Sequence, residues 1–417
     1  MQRGITLIDT VVGVALMLVV FVGISGVFRL SVDIVTNNKA RAGAIALADQ
    51  RMEYIRSLAY TSVGTVGGVP AATIPQSETI VLNGVTYTRR TIILFEDDPK
   101  DGLGSADTSP NHLNTDYKAV KVDVAWTSRT GTRHVDLVGR VSPPTSAGET
   151  NPCSSSCGTL VVNLVNSVSA PLAGLSVTIT NAALSPTINF STFTNASGTV
   201  TLLAAPASAA YAVSATNSGY TSDSASSQSV TNNNTTSKTL QIDLTSSMTI
   251  ITDLYSSGAQ IGTVPFTLSG STYGYSALLG GSGSATTTAS NLKWDNYKVS
   301  VASATGYDVA YTCQPQPVSL SANSSTTTVV YLAPHTTNSL SVKVTASSNG
   351  SLIPGASAHL FKTGYDATQA TDSCGQTFFS GLTSGTYTLS VSASGHTTST
   401  NNNLSVASST QAQVTLN

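Results

Sequence analysis

Residues Ile5 to Phe28 form 24 consecutive positions carrying a single charge, Asp9. As a helix rising about 1.5 Å per residue, the run is about 36 Å long and can cross a hydrocarbon core of about 30 Å. A segment of this kind must end in a bilayer or in the apolar core of an assembly. It is too long for the apolar part of a cleaved secretory signal, about 7–15 residues, and no small-x-small site with a clear mature start follows it. No cysteine lies near it for lipid attachment. Asp9 is the anomaly: a carboxylate inside a membrane segment costs about 2.5–3.5 kcal/mol on insertion scales and usually serves a function.

The residues around Asp9 carry a resemblance. Met1-Gln2-Arg3-Gly4 followed by Ile5-Thr6-Leu7-Ile8-Asp9 resembles the cleavage and methylation segment of type IV prepilins. That segment is a short basic leader ending in Gly, then an aromatic or aliphatic residue, Thr, Leu, an aliphatic residue and an acid. The departures are Ile5, where Phe is usual, and Asp9, where Glu is usual. The resemblance implies that a prepilin peptidase in the membrane cuts between Gly4 and Ile5 and methylates the new amine of Ile5. It also implies a role for Asp9 in filament assembly. Electrostatics gives the same pairing its own rationale. An amine at Ile5 and a carboxylate at Asp9 are each costly in an apolar filament core; paired between neighbouring subunits, they neutralise each other and fix the axial register.

The helix is expected to run on. Ala44, Leu47, Ala48, Met52, Ile55 and Leu58 recur at three- and four-residue steps, which predicts a one-sided apolar stripe, with Asp49, Arg51, Glu53 and Arg56 around the other side. The stretch from Gln50 to Tyr60 resembles the end of the long helix in minor-pilin-like proteins. Residues 61–142 read as a small antiparallel sheet. Thr79–Val81 and Val85–Phe95 flank Asn83-Gly84, a two-residue hairpin signal. Tyr117–Thr127 alternates, with Val120, Val122, Val124 and Trp126 on one face, and Val135–Val141 follows a turn at Gly131.

Charge marks a seam. Residues 1–150 hold 14 of the 19 Lys and Arg and 14 of the 21 Asp and Glu, leaving 5 and 7 for the other 267 residues. The chain has 60 Ser and 60 Thr and is only 10% charged, against roughly 25% in ordinary soluble domains. With a net charge of −2 there is no basic footprint, which excludes a nucleic-acid partner. Beyond Pro143-Pro144 and Pro152 the chain is rich in Ser, Thr, Asn, Gly and Val, the material of an extracellular β-protein.

The back half repeats. A Pro/Gly turn opens a strand at Pro171-Leu172-Ala173-Gly174, at Ile261–Pro265 and at Ile353-Pro354-Gly355; an alternating strand starts at Tyr211, Tyr297 and Tyr387. Gly-aromatic follows at Gly219-Tyr220, Gly306-Tyr307 and Gly395-His396. The tyrosines are 86 and 90 residues apart (297 − 211 and 387 − 297), a domain-sized period. Gly385-Thr386-Tyr387-Thr388-Leu389-Ser390-Val391 with Gly395 resembles carboxypeptidase-regulatory-like and related prealbumin-like β-sandwich modules. About seven short strands per module are expected.

Chemistry is sparse. The five histidines are scattered without metal spacing, and no Gly-rich phosphate loop follows a strand and opens a helix, so no enzyme is expected. Asp97, Asp98, Asp101 and Asp107, around the turn at Gly102, can supply oxygen ligands to calcium; a solvated turn that uses Asp and Pro for their backbone preferences is the alternative. Four cysteines allow three pairings. Cys153–Cys157 together with Cys313–Cys374 is the expected set, since the chain past the membrane segment folds where thiols oxidise; four unpaired cysteines are the alternative.

The expected fold class is an α+β N-terminal pilin domain, a long N-terminal helix plus antiparallel sheet, followed by three all-β sandwich modules. Residues 1–4 are the expected leader and 5–145 the pilin-like domain, with 5–28 as its membrane or filament-core segment. Residues 146–157 are a linker, and 158–245, 246–335 and 336–417 are the modules. The expected role is a structural subunit of a type IV pilus-like filament, in a minor or tip position because so bulky a head must clear its neighbours in a dense shaft. A pseudopilin of a type II-like secretion system and a non-polymerising, membrane-anchored adhesin or stalk are the alternatives. Expected partners are the prepilin peptidase, other pilin subunits, the membrane and an unidentified surface ligand. The expected location is a single pass in the inner (cytoplasmic) membrane, then an extracellular filament or the cell surface. Calcium apart, no cofactor is expected.

Overall fold

The computed structural model describes residues 7–98, 115–129, 131–144, 156–255, 257–314 and 316–417, with side chains from residue 11 onward. It begins with one helix, α1, Leu7–Ser57, 51 residues long. The helix has two halves of different character. From Val11 to Val35 nearly every apolar side chain is exposed, Met17 at 75% and Phe28 at 70%. This half is long and apolar enough to cross a membrane. The second half is rich in alanine, the strongest helix former, and its stripe is buried: Ala40, Ala44, Leu47, Ala48, Met52 and Ile55, with Leu58 packed alongside.

Four strands follow: β1 Ser77–Leu82, β2 Val85–Glu96, β3 Tyr117–Ser128 and β4 Gly131–Val141. They pair antiparallel in the order β1-β2-β3-β4. Asn83 and Gly84 both take positive φ, 51° and 78°, in the two-residue turn where Leu82 pairs with Val85, the geometry that matches the twist of the flanking strands. One sheet face, with Tyr87, Ile93, Val120, Val122, Val124 and Trp126, closes on the helix stripe. At roughly 1.5–3 kcal/mol per buried large side chain, this seam is the main stabilising contact of the head. Polar ties fix its register: the Tyr87 hydroxyl donates to the Ala40 carbonyl at 2.9 Å, and Arg89 Nη1 donates to the Leu47 carbonyl at 3.0 Å.

Arg51 departs from its expected place on the solvent side. Asp49, Glu53 and Arg56 are exposed, but Arg51 is buried and pairs with Glu78 of β1, which also accepts from Arg89 Nε at 3.0 Å. Position 51 is four residues after Leu47 and three after Ala48, so it borders the stripe. Its long side chain reaches over the sheet edge to the carboxylate between two guanidinium groups.

The rest is β. The first sandwich comprises β5 Cys157–Val165, β6 Ser176–Asn181, β7 Ile188–Phe193, β8 Thr199–Pro206, β9 Ser208–Ala215, β10 Asp223–Val230 and β11 Thr235–Gln241. The second comprises β12 Ser246–Leu254, β13 Pro265–Gly270, β14 Ser276–Gly280, β15 Thr286–Leu292, β16 Asp295–Ser300, β17 Tyr307–Thr312, β18 Val318–Leu320 and β19 Ser325–Pro334. The third comprises β20 Ser339–Ala346, β21 Ser357–Lys362, β22 Tyr365–Ala370, β23 Gln376–Phe379, β24 Gly385–Ser392, β25 Ser399–Val406 and β26 Ser409–Leu416. Each has two sheets: β10-β9-β6-β7 with β11-β5-β8, β15-β12-β19-β17 with β14-β13-β16-β18, and β23-β20-β26 with β22-β21-β24-β25. In all three the first strand pairs in parallel with the last, β5 with β11, β12 with β19 and β20 with β26. The second sandwich therefore has eight strands where seven were expected.

The repeated tyrosines explain their spacing. Tyr211, Tyr297 and Tyr387 are fully buried, and each hydroxyl donates to a carbonyl four or five residues upstream: Pro206 at 2.9 Å, Lys293 at 2.8 Å and Thr383 at 2.8 Å. A buried ring with a satisfied hydroxyl pins a strand to the corner that precedes it.

The chain divides into two compact units, Met1–Thr216 with Ser222–Gln241, and Asn217–Thr221 with Ile242–Asn417. Within the first, the first sandwich meets the outer face of the head sheet. Gln76 Nε2 donates to the Asn189 carbonyl at 2.7 Å, and the Arg90 guanidinium lies 4.9 Å over the Phe193 ring.

Candidate functional site

Three places carry the chemistry expected of this chain, and the structure treats them differently. At the N-terminus, Gly4 and Ile5 lie outside the described residues. The Asp9 backbone belongs to α1, within one continuous helix that carries the exposed apolar half into the buried stripe. No Cβ placed at Gly13, Gly23 or Gly26 would meet any atom within 4 Å, so these positions lie open on an exposed apolar surface.

Of the acids expected to hold calcium, Asp97 and Asp98 follow β2 directly, and Asp101 and Asp107 lie outside the described residues. The Asp98 N–H donates to Asp116 Oδ2 at 2.5 Å, and Glu96 receives both Arg140 Nη2 at 2.7 Å and Arg140 Nε at 3.1 Å.

A different set converges on the outer face of the head sheet. Asp123 of β3 and Asp136 of β4 are direct cross-strand partners, and their carboxylate oxygens and a ring nitrogen of His134 all lie within 4.8 Å of one another. Burial, and then the hydrogen bond and charge of Asp136, push Asp123 up to about 6. Burial would raise Asp136 as well, but hydrogen bonds from Asp123 and from Lys121, whose Nζ is 2.8 Å away, hold it below the usual carboxylate range. The two carboxylates lie side by side, and Lys121 supplies the nearby positive charge. Sequence reasoning missed this cluster because Asp123 and Asp136 are 13 residues apart in sequence; the hairpin turn near Gly131 was the available signal.

Lys118 is another buried charge in the head. Its Nζ donates to the carbonyls of Tyr60 and Val63, both at 2.7 Å, and lies 4.4 Å over the Tyr60 ring. Burial lowers it to about 8. It ties the chain that leaves α1 to the third strand.

In the second unit, Cys313 and Cys374 form a disulfide with Cα atoms 4.9 Å apart, joining the second and third sandwiches. Cys157 is also disulfide-bonded; its expected partner, Cys153, lies outside the described residues. Polar and aromatic contacts surround the inter-sandwich bridge. Tyr311 donates to Asp372 Oδ2 at 2.7 Å, Gln376 Nε2 donates to the Thr312 carbonyl at 2.6 Å, and Tyr255 donates to Gln369 Oε1 at 2.6 Å. The Tyr255 ring meets Tyr311 and Phe378 edge-on, both at 5.8 Å between centroids. A disulfide, a small aromatic core and three side-chain hydrogen bonds make this junction a fixed one.

Residues 339–417 match the family of carboxypeptidase regulatory-like domains. The match spans β20–β26, the third sandwich. No curated protein matches the chain in sequence. Among solved structures, the Bacillus anthracis TIE protein is 14% identical with a TM-score of 0.20, and the match covers 82% of this chain and 73% of that one. The streptococcal ancillary pilin is 13% identical at a TM-score of 0.17, covering 63% and 99%. GBS52, the minor pilin of Streptococcus agalactiae, is 13% identical at 0.23, covering 43% and 97%. Likeness at these values bears on neither the arrangement nor the role of this chain.

Proposed function

We propose that this protein is a structural subunit of a type IV pilus-like filament that displays three β-sandwich modules at a minor or tip position. One observation carries the reading: a single helix with an exposed apolar half and a second half buried against a four-stranded antiparallel sheet. The apolar half suits a bilayer before assembly and the core of a helical shaft afterwards, while the second half holds the head at a fixed distance from it. The prepilin-like run from Gly4 to Asp9 gives this helix a processing site and a register charge. Asp9 then pairs with the amine of Ile5 on a neighbouring subunit, since neither charge has another partner in such a core. A pseudopilin of a secretion filament shares the same helix and is the related alternative; an anchored adhesin that never polymerises needs neither the cut nor Asp9. The test is the sheared surface fraction of producing cells. Wild-type protein is expected in filaments, and Asp9→Ala in the membrane but absent from filaments. Equal recovery of both in the sheared fraction would contradict the assembly role.

A further inference from the structure

The second and third sandwiches enclose a cleft of about 720 Å³ beside their disulfide junction. Its volume lies within the range of about 300–1,000 Å³ typical of ligand sites. Residues 151–417 contain only five Lys and Arg, and two of them, Lys298 of β16 and Lys343 of β20, line this one cleft. Among the described residues neither ammonium group has a hydrogen bond or an ion pair. The carboxylate in the lining, Asp308, is already engaged: Oδ1 lies 2.8 Å from His335 Nδ1, and Oδ2 accepts the Thr336 N–H at 3.0 Å. Two cations are thus left facing one space in a segment otherwise nearly free of positive charge.

The neutral lining narrows the class. The parallel pairing of β20 with β26 sets Lys343 beside Gln413 and Ser341 beside Gln411. Side-chain amides and hydroxyls donate and accept, which suits a ligand dense in hydroxyl groups. The junction also holds the two walls in place, so little order has to be gained on binding. We infer that the cleft binds an oligosaccharide bearing carboxylates, an oligouronate, with its carboxylates on Lys298 and Lys343 and its hydroxyls on Gln411 and Gln413. This site rests on the junction alone and is independent of how the N-terminus is processed.

The full-length protein in detergent micelles is titrated calorimetrically with trigalacturonic acid, with maltotriose as a neutral trisaccharide and tetraglutamate as an acidic peptide. Saturable binding is expected for trigalacturonic acid alone, weakening as salt screens the charges. Lys298→Ala and Lys343→Ala should each weaken it about tenfold, the scale of one charge-assisted hydrogen bond, and Lys→Arg at either site should keep it within a few-fold. Unchanged melting of the variants separates lost binding from lost folding. Absence of saturable binding at millimolar trigalacturonic acid, equal binding of maltotriose, stronger binding of tetraglutamate, or an unchanged affinity in the double alanine variant would each overturn the assignment.

Discussion

The Tyr311 hydroxyl donates to the Asp372 carboxylate across 2.7 Å, from the second sandwich to the third. The other oxygen of Asp372 accepts the N–H groups of Cys374 and Gln376 at 2.8 and 3.1 Å, so one carboxylate serves both the junction and the turn that carries the disulfide. Burial, reinforced by the nearby Asp372 charge, pushes the Tyr311 hydroxyl well above its usual value, which keeps it a donor at any ordinary pH. The bond therefore persists across the ordinary pH range.

Reduction tests the junction. The bridge closes a separation of 61 residues, worth roughly 4 kcal/mol in the chain-entropy treatment. A reductant should lower the melting temperature of the wild-type protein and leave a Cys313→Ser/Cys374→Ser variant, already lower, unmoved by the same treatment at this junction. Tyr311→Phe should cost about 1–3 kcal/mol by leaving Asp372 short of a partner. A double Cys variant that melts with the wild type would contradict a fixed junction.

Gly43 tests the seam between helix and head sheet. A Cβ there would sit 2.5 Å from the Tyr87 hydroxyl oxygen and 3.2 Å from its ring carbon. Tyr87 is fully buried and its hydroxyl is held by the Ala40 carbonyl, so the ring cannot swing away. Helix propensity alone would make Gly43→Ala stabilising by about 1 kcal/mol. Overpacking typically costs about 1–3 kcal/mol and should win. Thermal melting should show Gly43→Ala destabilised, with partial recovery on adding Tyr87→Phe; a stabilised single variant would show that the seam is looser than described.

The acid pair on the outer face gives a pH signature. Asp123 holds its proton up to about 6 in the folded protein, against an ordinary value of 3.8. Between these values the folded state binds more protons than the unfolded chain, so stability falls as pH rises from about 4 to about 6, by no more than about 3 kcal/mol. Depression of Asp136 acts in a separate window below 3.8, where its contribution is lost as pH falls. Asp123→Asn should flatten the upper window. Urea unfolding midpoints of the head between pH 4 and 7 check this; an unchanged slope in the variant would remove Asp123 as the cause.

What was legible in the sequence followed from local periodicity. Ala44, Leu47, Ala48, Met52 and Ile55 are buried where their spacing put them, because a helix face is fixed by residues three and four apart. Asn83-Gly84 turns where expected, since few other dipeptides take two positive φ values. Tyr211, Tyr297 and Tyr387 marked the period because each corner needs the same buried ring. What was not legible depends on pairing across the sheet. Arg51 reaches Glu78 across 27 positions, and Asp123 meets Asp136 through strand register; neither pattern repeats along the chain. The cleft lysines were invisible for the same reason, being 45 residues apart (343 − 298) on different sandwiches.

The central claim is that the long helix begins at a processed terminus and is built for a filament. Mass spectrometry of the N-terminal peptide, from protein recovered in sheared surface filaments, tests it most directly. The account predicts a chain that starts at Ile5 with a methylated amine. A chain that still starts at Met1, or one cut beyond Phe28 so that the apolar half of the helix is gone, would contradict it.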